Sequence, residues 1–546
     1  MDRRNFMKKT AMGTAGMLGA SALGPLGSLV GQATGSGKRP NIIVFLADDM
    51  GFSDIGCYGS EIPTPNIDRL ASNGIQFTQF YNIARCSPAR ASLLTGLNPH
   101  QVGLGHLATT RVDLPAYQGY LNEECVTSAE VLKDVGYRTI MTGKWHVGVK
   151  EKAWPSNRGF DHFYGEHSYV DSYFEPTHRL FLDGEVVEPE GKDWYSTDAY
   201  TDYALKFLDE KQPGEQPFYL YLAYNAPHFP LQAFQEDIDK YRGKYMKGWD
   251  QVRLDRYQRQ IELGITDPEW DLPPRDDGAA GWHDPIPRWE DVDDKELWDL
   301  KMASYAAQID RMDQNIGRVL DRLEERGELE NTVIFFLSDN GGCAEDWINR
   351  RNPEGVKPGD RNSMIAYGLP WAQVSNTPFR LYKRWVHEGG IATPFIAHWP
   401  EGISNPGTMS KEVGHVMDVM STCIDLANAD YPSSYNGNTI TPMEGKSLVP
   451  VLKEGQRKGH DSLGWEHEGN RAFRKGNLKI SWRDRYHKAD WELYDLRADR
   501  TEMHDLSRKY PEKRKELISD YEAWADRVGV IEWDRLMEIR RKQRKG

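Results

Sequence analysis

The sharpest local signal in the chain is Cys86-Ser87-Pro88-Ala89-Arg90, followed by Ala91-Ser92-Leu93-Leu94-Thr95-Gly96. Proline suits the first turn of a helix, so the spacing predicts Cys86 at a helix N-terminus, where free N–H groups and the helix dipole favour an anion. Arg90, four residues on, falls on the same helical face. A solitary cysteine is more often an inert core thiol than a reactive one, and other polar groups separate this one from that category. Asp48, Asp49, Asp339 and Asn340 offer only oxygen, which suits a hard cation such as Ca²⁺ or Mg²⁺ and argues against zinc. Adjacent carboxylates directly after an apolar run repel unless a cation lies between them. His146 and His228 titrate near neutral pH and can carry protons, and Lys144 adds a further cation.

These groups need elements to bring them together. Asn41–Ala47, Tyr137–Met141, Phe218–Ala223 and Thr332–Leu337 are short apolar runs bounded by turn residues and read as buried strands. Helix signals lie between them, including a capping box at Thr127-Ser128-Ala129-Glu130 and an amphipathic segment from about Leu300 to Glu325, ending at Gly327. Strand alternating with helix predicts a parallel α/β sheet. Asp48-Asp49, Lys144 with His146, His228, and Asp339-Asn340 follow the four runs in turn. In open α/β sheets ligands bind outside the carboxyl ends of the strands, so distant segments deliver these groups to one edge.

The stretch from about Glu236 to Glu296 is dense in Trp, Pro and charge and reads as a surface insertion that helps shape the entrance to the site. After the polar segment Lys453–Gly459 the pattern changes to strands at Leu478–Trp482 and Trp491–Tyr494 and a helix from Pro511 to about Val528, a small α+β appendage. The predicted organisation is an export signal at residues 1–35, a catalytic domain at 36–455 and a small sheet-plus-helix domain at 456–546.

C-S-P-A-R with R-A-S-L-L-T-G resembles the signature of the type I sulfatases, whose pattern C-x-P-x-R is intact. The likeness extends to Ala47–Gly51, Thr142–Gly148, Asn225-Ala226-Pro227-His228, Ser338–Gly342, Thr377–Lys383 with Glu388-Gly389-Gly390, and Trp491–Leu496. Ala89 and Ala392 depart from residues common in the family, and neither belongs to its catalytic set. The resemblance implies an alkaline-phosphatase-like three-layer α/β sandwich with a large, mostly parallel sheet. It also implies one Ca²⁺ held by Asp48, Asp49, Asp339, Asn340 and residue 86, with Cys86 converted to Cα-formylglycine by a maturation enzyme. Arg90, Lys144 and Lys383 would then face the sulfate oxygens. By the same resemblance a hydroxyl of the hydrated aldehyde attacks sulfur, with Asp339 assisting. His228 with Lys383 favours departure of the alcohol, and His146 takes a proton as sulfate leaves. The implied substrate is an aryl, alkyl or carbohydrate sulfate monoester. Gly103-Leu104-Gly105-His106 is similar to the small-substrate arylsulfatase branch. Two rivals stand beside this reading: a phosphonate monoester or phosphodiester hydrolase of the same superfamily, and a silent protein that binds sulfated polymers.

Composition fits an enzyme better than the second rival. With 68 Lys+Arg against 82 Asp+Glu the net charge is −14, and the mean hydropathy is −0.68. Neither a nucleic-acid partner nor stable membrane insertion is expected, and a polyanion meets an unfavourable field. Arg3-Arg4 ahead of Phe6, then a weakly apolar Gly/Ala/Ser stretch, resemble a twin-arginine export signal. Its removal takes away four cations and one anion, leaving −17 on a periplasmic or secreted protein. The other cysteines, Cys57, Cys125, Cys343 and Cys423, have no pairing that the sequence determines.

Overall fold

The computed structural model describes residues 38–278, 283–483 and 490–544. The expected export signal lies outside them. Residues Arg39–Gly546 form one compact unit.

Its centre is a ten-stranded sheet. In chain order the strands are β1 (Asn41–Ala47), β2 (Gly74–Phe77), β3 (Arg138–Lys144), β4 (His162–Glu166), β5 (Leu180–Leu182), β6 (Glu185–Val187), β7 (Phe218–Ala223), β8 (Thr332–Ser338), β9 (Phe395–His398) and β10 (Thr408–Ser410). Their spatial order is β10-β2-β9-β8-β1-β7-β3-β4-β5-β6. The five neighbours β8, β1, β7, β3 and β4 run parallel. Strands β9, β5 and β6 are antiparallel to the strands before them in this order or, for β9, to both its neighbours. Every residue of β1, β3, β7 and β8 is buried, as expected when helices cover both faces of a parallel sheet. Ile43 pairs with Leu220 on one side and Ile334 on the other, so the carboxyl ends of β1, β7 and β8 lie level.

Helices pack in two groups. Pro65–Ser72 and Ser196–Asp209 lie against the long helix Lys295–Glu325, and Cys86–Thr95, Ser128–Asp134 and Asp418–Leu426 lie against one another. Thr127 caps its helix as the sequence predicts: its Oγ accepts from Glu130 N–H at 3.1 Å while Glu130 accepts from Thr127 N–H at 2.7 Å. The long helix starts at Lys295, earlier than its apolar pattern indicates, because Asp294 accepts from Leu297 N–H at 2.9 Å.

The 236–296 segment differs from expectation. Its Trp249 and Trp289 meet at 4.8 Å, and Trp249 meets Trp371 at 5.8 Å, within a second apolar core. Trp249 and Trp289 are therefore core-forming, and none of the segment's described residues lines the cavity above Cys86.

At the C-terminus, β11 (Leu463–His467), β12 (Asn470–Lys475), β13 (Leu478–Trp482) and β14 (Glu492–Asp495) form an antiparallel sheet. The helix Pro511–Val528 covers it through Leu517, Tyr521 and Trp524. A last helix, Trp533–Gln543, is one the sequence did not announce. Buried charge joins this sheet to the rest of the molecule: Glu388 accepts from Lys479 Nζ at 2.9 Å, Arg500 Nε at 2.9 Å and Tyr81 O–H at 2.8 Å. All five cysteines are free thiols, and among the described residues no helix is long and apolar enough to cross a membrane.

Candidate active site

The level strand ends bring the singled-out residues into one buried cluster. Asp48 and Asp49 leave β1, and Asp339 and Asn340 leave β8, all essentially without exposure. Asp49 and His146 hold left-handed backbone conformations, with φ of 66° and 61°. Such conformations cost on the order of 1–3 kcal/mol each and persist where the surroundings over-determine them. β3 runs past the apolar stretch 137–141, so that Lys144 is its last residue instead of following it. The close approach of β3 to β7 there depends on Gly143 (φ 107°), whose added β-carbon would stand 2.0 Å from the Ala223 carbonyl oxygen.

Cys86 opens the helix Cys86–Thr95, with Arg85 as N-cap in an extended conformation and Pro88 in the first turn. Every residue of this helix is buried. Arg90 turns back into the cluster: its Nε donates to Asp339 at 3.1 Å, one Nη donates to the Lys144 carbonyl at 2.7 Å, and the other lies 3.6 Å from Asp48. Lys144 Nζ pairs with Asp48. Lys383 Nζ lies 2.6 Å from one Asp49 oxygen and 2.7 Å from the other. Asn340 donates to Asp49 at 2.8 Å, and His228 Nε2 lies 3.2 Å from Asp49 Oδ2.

The donor set fits a hard dication. Asp48 Oδ1 and Asn340 Oδ1 are buried without a hydrogen-bond partner, an expensive condition that a cation relieves. Ligand atoms of Asp48, Asp339 and Cys86 lie within 4.8 Å of one another, as do those of Asp48, Asp49 and His228. Burial, with the Asp48 charge beside it, pushes the Asp339 carboxyl up to about 7. Burial opposes ionisation of Asp48 and Asp49 too, but Lys144 and Lys383 respectively, each with His228, hold them below the usual carboxylate range.

The two histidines differ in setting. Burial, then the charges of Lys144 and Arg90, hold His146 well below 6.5, so it is neutral and able to accept a proton. His228 Nδ1 faces the Phe229 carbonyl at 2.5 Å, which places a proton on Nδ1 and directs Nε2 to the cluster. Burial lowers His228 as well, while Asp49 and Asp48 pull the other way. Tyr173 O–H holds the His228 loop through the Asn225 and His228 carbonyls, at 3.0 and 2.7 Å.

Above Cys86 opens a cavity of about 210 Å³, with Lys144, His146, His228 and Lys383 on its walls. Sequence reasoning missed its rim: Tyr169 and Asp171 follow β4, a strand the sequence did not announce, and Glu345, Trp347 and Arg351 lie in the loop beyond β8 and carry no motif. His106 does not line it. Its Nε2 meets Glu468 at 3.1 Å and its Nδ1 accepts from Leu107 N–H at 2.6 Å. Together with His467 these form a separate cluster in which Arg384 already pairs with Glu468.

A parallel sheet with carboxylates, an amide and cations gathered at its carboxyl edge around a helix-terminal cysteine is the arrangement of the alkaline-phosphatase-like class of ester hydrolases. The sulfatase family profile matches residues 40–429, and the C-terminal profile of N-sulphoglucosamine sulphohydrolase matches residues 379–523. An uncharacterized sulfatase of Schizosaccharomyces pombe is 36% identical over 90% of this chain and 95% of its own length. An arylsulfatase of Klebsiella aerogenes is 35% identical over 76% and 92%. The crystal structure of Ps i-CgsB superposes with a TM-score of 0.65 at 25% identity, covering 89% of this chain and 93% of that one. The chain belongs to the sulfatase family, and it is a sulfuric ester hydrolase.

Proposed function

We propose that this sulfatase hydrolyses aryl or saccharide sulfate monoesters at a site that holds one Ca²⁺ and a Cα-formylglycine made from Cys86 by a maturation enzyme, in a periplasmic or secreted protein. The observation that carries this reading is the placement of Cys86, at a helix N-terminus, among four oxygen-donor residues and three buried cations. Names of relatives support the substrate class: an N-acetylglucosamine-6-O-sulfatase of Bacteroides thetaiotaomicron is 28% identical over 88% of this chain.

When bound, the cation neutralises sulfate oxygens and draws charge from sulfur. The hydrated aldehyde supplies two hydroxyls on one carbon, one to attack and one to expel. Arg90, Lys144 and Lys383 are fixed before substrate arrives, so they stabilise developing negative charge without reorganisation. His146, held neutral, would take the proton of the second hydroxyl, whose electrons reform the aldehyde C=O as the C–O bond to sulfate breaks. The charge that enters with a sulfate ester favours the protonated form of His228, whose Nε2 then donates to the leaving oxygen.

His228→Ala is expected to lower kcat/KM for alkyl sulfates by roughly 10²–10⁴-fold, and for nitrophenyl sulfate, whose leaving group needs little help, by under about tenfold. A leaving-group series measures this, and equal losses across it would remove His228 from the role. Chelation by EGTA is expected to lower both turnover and the thermal midpoint, with Ca²⁺ restoring them; a ligand at 100 times its Kd contributes about 2.7 kcal/mol. Elemental analysis tests the assignment directly, since stoichiometric zinc without calcium contradicts it. Mass spectrometry of the peptide containing residue 86 reads the modification.

A further inference from the structure

The rim of the cavity carries a side chain that the reaction does not use. Trp347 is 47% exposed, yet it is not loose. It opens the short 3-10 turn Trp347–Arg351, and its indole N–H points to Glu345 Oε2 at 3.4 Å. Glu345 is itself held by Arg85, the N-cap of the helix that Cys86 opens. The indole meets the Phe229 ring edge to face, with centroids 5.8 Å apart and planes at 90°. Phe229 is anchored by Cys343, Ile348 and Ala366, and lies 4.3 Å from the ring of His228. An aromatic ladder therefore leads from solvent through Trp347 and Phe229 to the group whose Nε2 faces the leaving oxygen. On another wall Tyr169 stands edge-on to His146 at 6.4 Å. At the mouth Asp171 and Arg351 lie 4.0 Å apart, placed to hydrogen-bond hydroxyls.

The cavity's 210 Å³ falls below the roughly 300–1,000 Å³ of clefts that enclose drug-sized ligands, and it is open to solvent on one side, so the group carried by the sulfate emerges at the rim where Trp347 stands. Exposed indole faces attract flat arenes and the C–H faces of sugar rings alike. We propose that Trp347 is the platform on which the six-membered ring that carries the departing oxygen lies. This rests on the sulfatase reading above. An arene and a pyranose share the required chemistry.

The test is equilibrium binding by calorimetry, with Ca²⁺ present, to protein made in a host lacking the maturation enzyme, whose unmodified Cys86 leaves the site's residues in place without turnover, so the result stands apart from whether the matured enzyme hydrolyses sulfate esters. Probes are 4-nitrophenyl sulfate, a monosaccharide 6-sulfate and ethyl sulfate. Adding Trp347→Leu, which keeps apolar bulk but removes the ring, is expected to weaken binding of a cyclic probe about tenfold and of ethyl sulfate less than twofold. Trp347→Phe is expected to restore most of the loss. Loss confined to the arene assigns an aryl alcohol, and loss confined to the sugar assigns a saccharide. Equal changes for all three probes, or none for either ring, overturn the platform. Matched thermal midpoints establish that the variants fold.

Discussion

Cys86→Ala is expected to abolish turnover, lowering kcat/KM on the order of 10⁵-fold or more, which corresponds to about 7 kcal/mol of transition-state stabilisation. The reason lies in how many hydroxyls one carbon can carry. Alanine offers no nucleophile. Cys86→Ser offers one, so in a host that does not modify serine it is expected to take sulfate once, release one equivalent of alcohol and then keep the sulfate, because no second hydroxyl on that carbon expels it. Single-turnover kinetics and the mass of the peptide containing residue 86 separate the two variants. Multiple turnovers by unmodified serine, or unmodified cysteine in fully active wild type, would falsify the formylglycine reading.

The second large effect concerns stability. Glu388 is fully buried and joins Lys479 and Arg500 of the C-terminal part to Tyr81, in the segment after β2. Breaking one side of a buried ion network leaves uncompensated charge, which typically costs about 3–5 kcal/mol. Glu388→Gln is therefore expected to lower the unfolding midpoint in urea and in heat. Although burial resists its ionisation, Lys479 and Arg500 hold the Glu388 carboxyl below its ordinary 4.5. A carboxyl with a depressed native pKa stabilises above the unfolded value and loses that contribution as pH falls. The wild type is thus expected to weaken below about pH 4.5 through a component that Glu388→Gln lacks. Identical acid limbs for the two proteins would dismiss Glu388 as a source of that stability.

Much of the site was legible because its residues sit at the ends of uniformly apolar runs. Asn41–Ala47 can be little other than a doubly buried strand, and Asp48-Asp49 directly after it is conspicuous. Thr127 and Glu130 announced their helix because capping is a local hydrogen-bond problem. The rest depends on contacts between distant segments. The left-handed turns at Asp49 and His146 have no sequence cue, since nothing but the surrounding fold enforces them. Trp249 and Trp289 looked like an irregular surface insertion because their partners, such as Trp371, lie far along the chain. Trp347 and Glu345 occupy a loop whose meaning comes from Arg85 and Phe229, neither of which is a sequence neighbour. The helix Trp533–Gln543 buries only Trp533 and Leu536, too sparse an apolar stripe to stand out.

The order of strands in the central sheet also sets a timetable. Strand β1 lies between β7 and β8, so it cannot complete its pairing until Ser338 has been synthesised, 252 residues after Cys86. At about 5–20 residues per second, translation leaves an interval of roughly ten to fifty seconds in which residue 86 has emerged but its surroundings have not. In the finished molecule Cys86 is only 3% exposed. Under the formylglycine proposal, oxidation of this thiol by a maturation enzyme has a deadline set by the topology, because a chain that closes its sheet first leaves residue 86 reachable only through the narrow cavity above it. On that proposal, any change that speeds pairing of β1 with β8, or delays the maturation enzyme, is expected to lower the fraction of molecules that ever become active without altering one residue of the site.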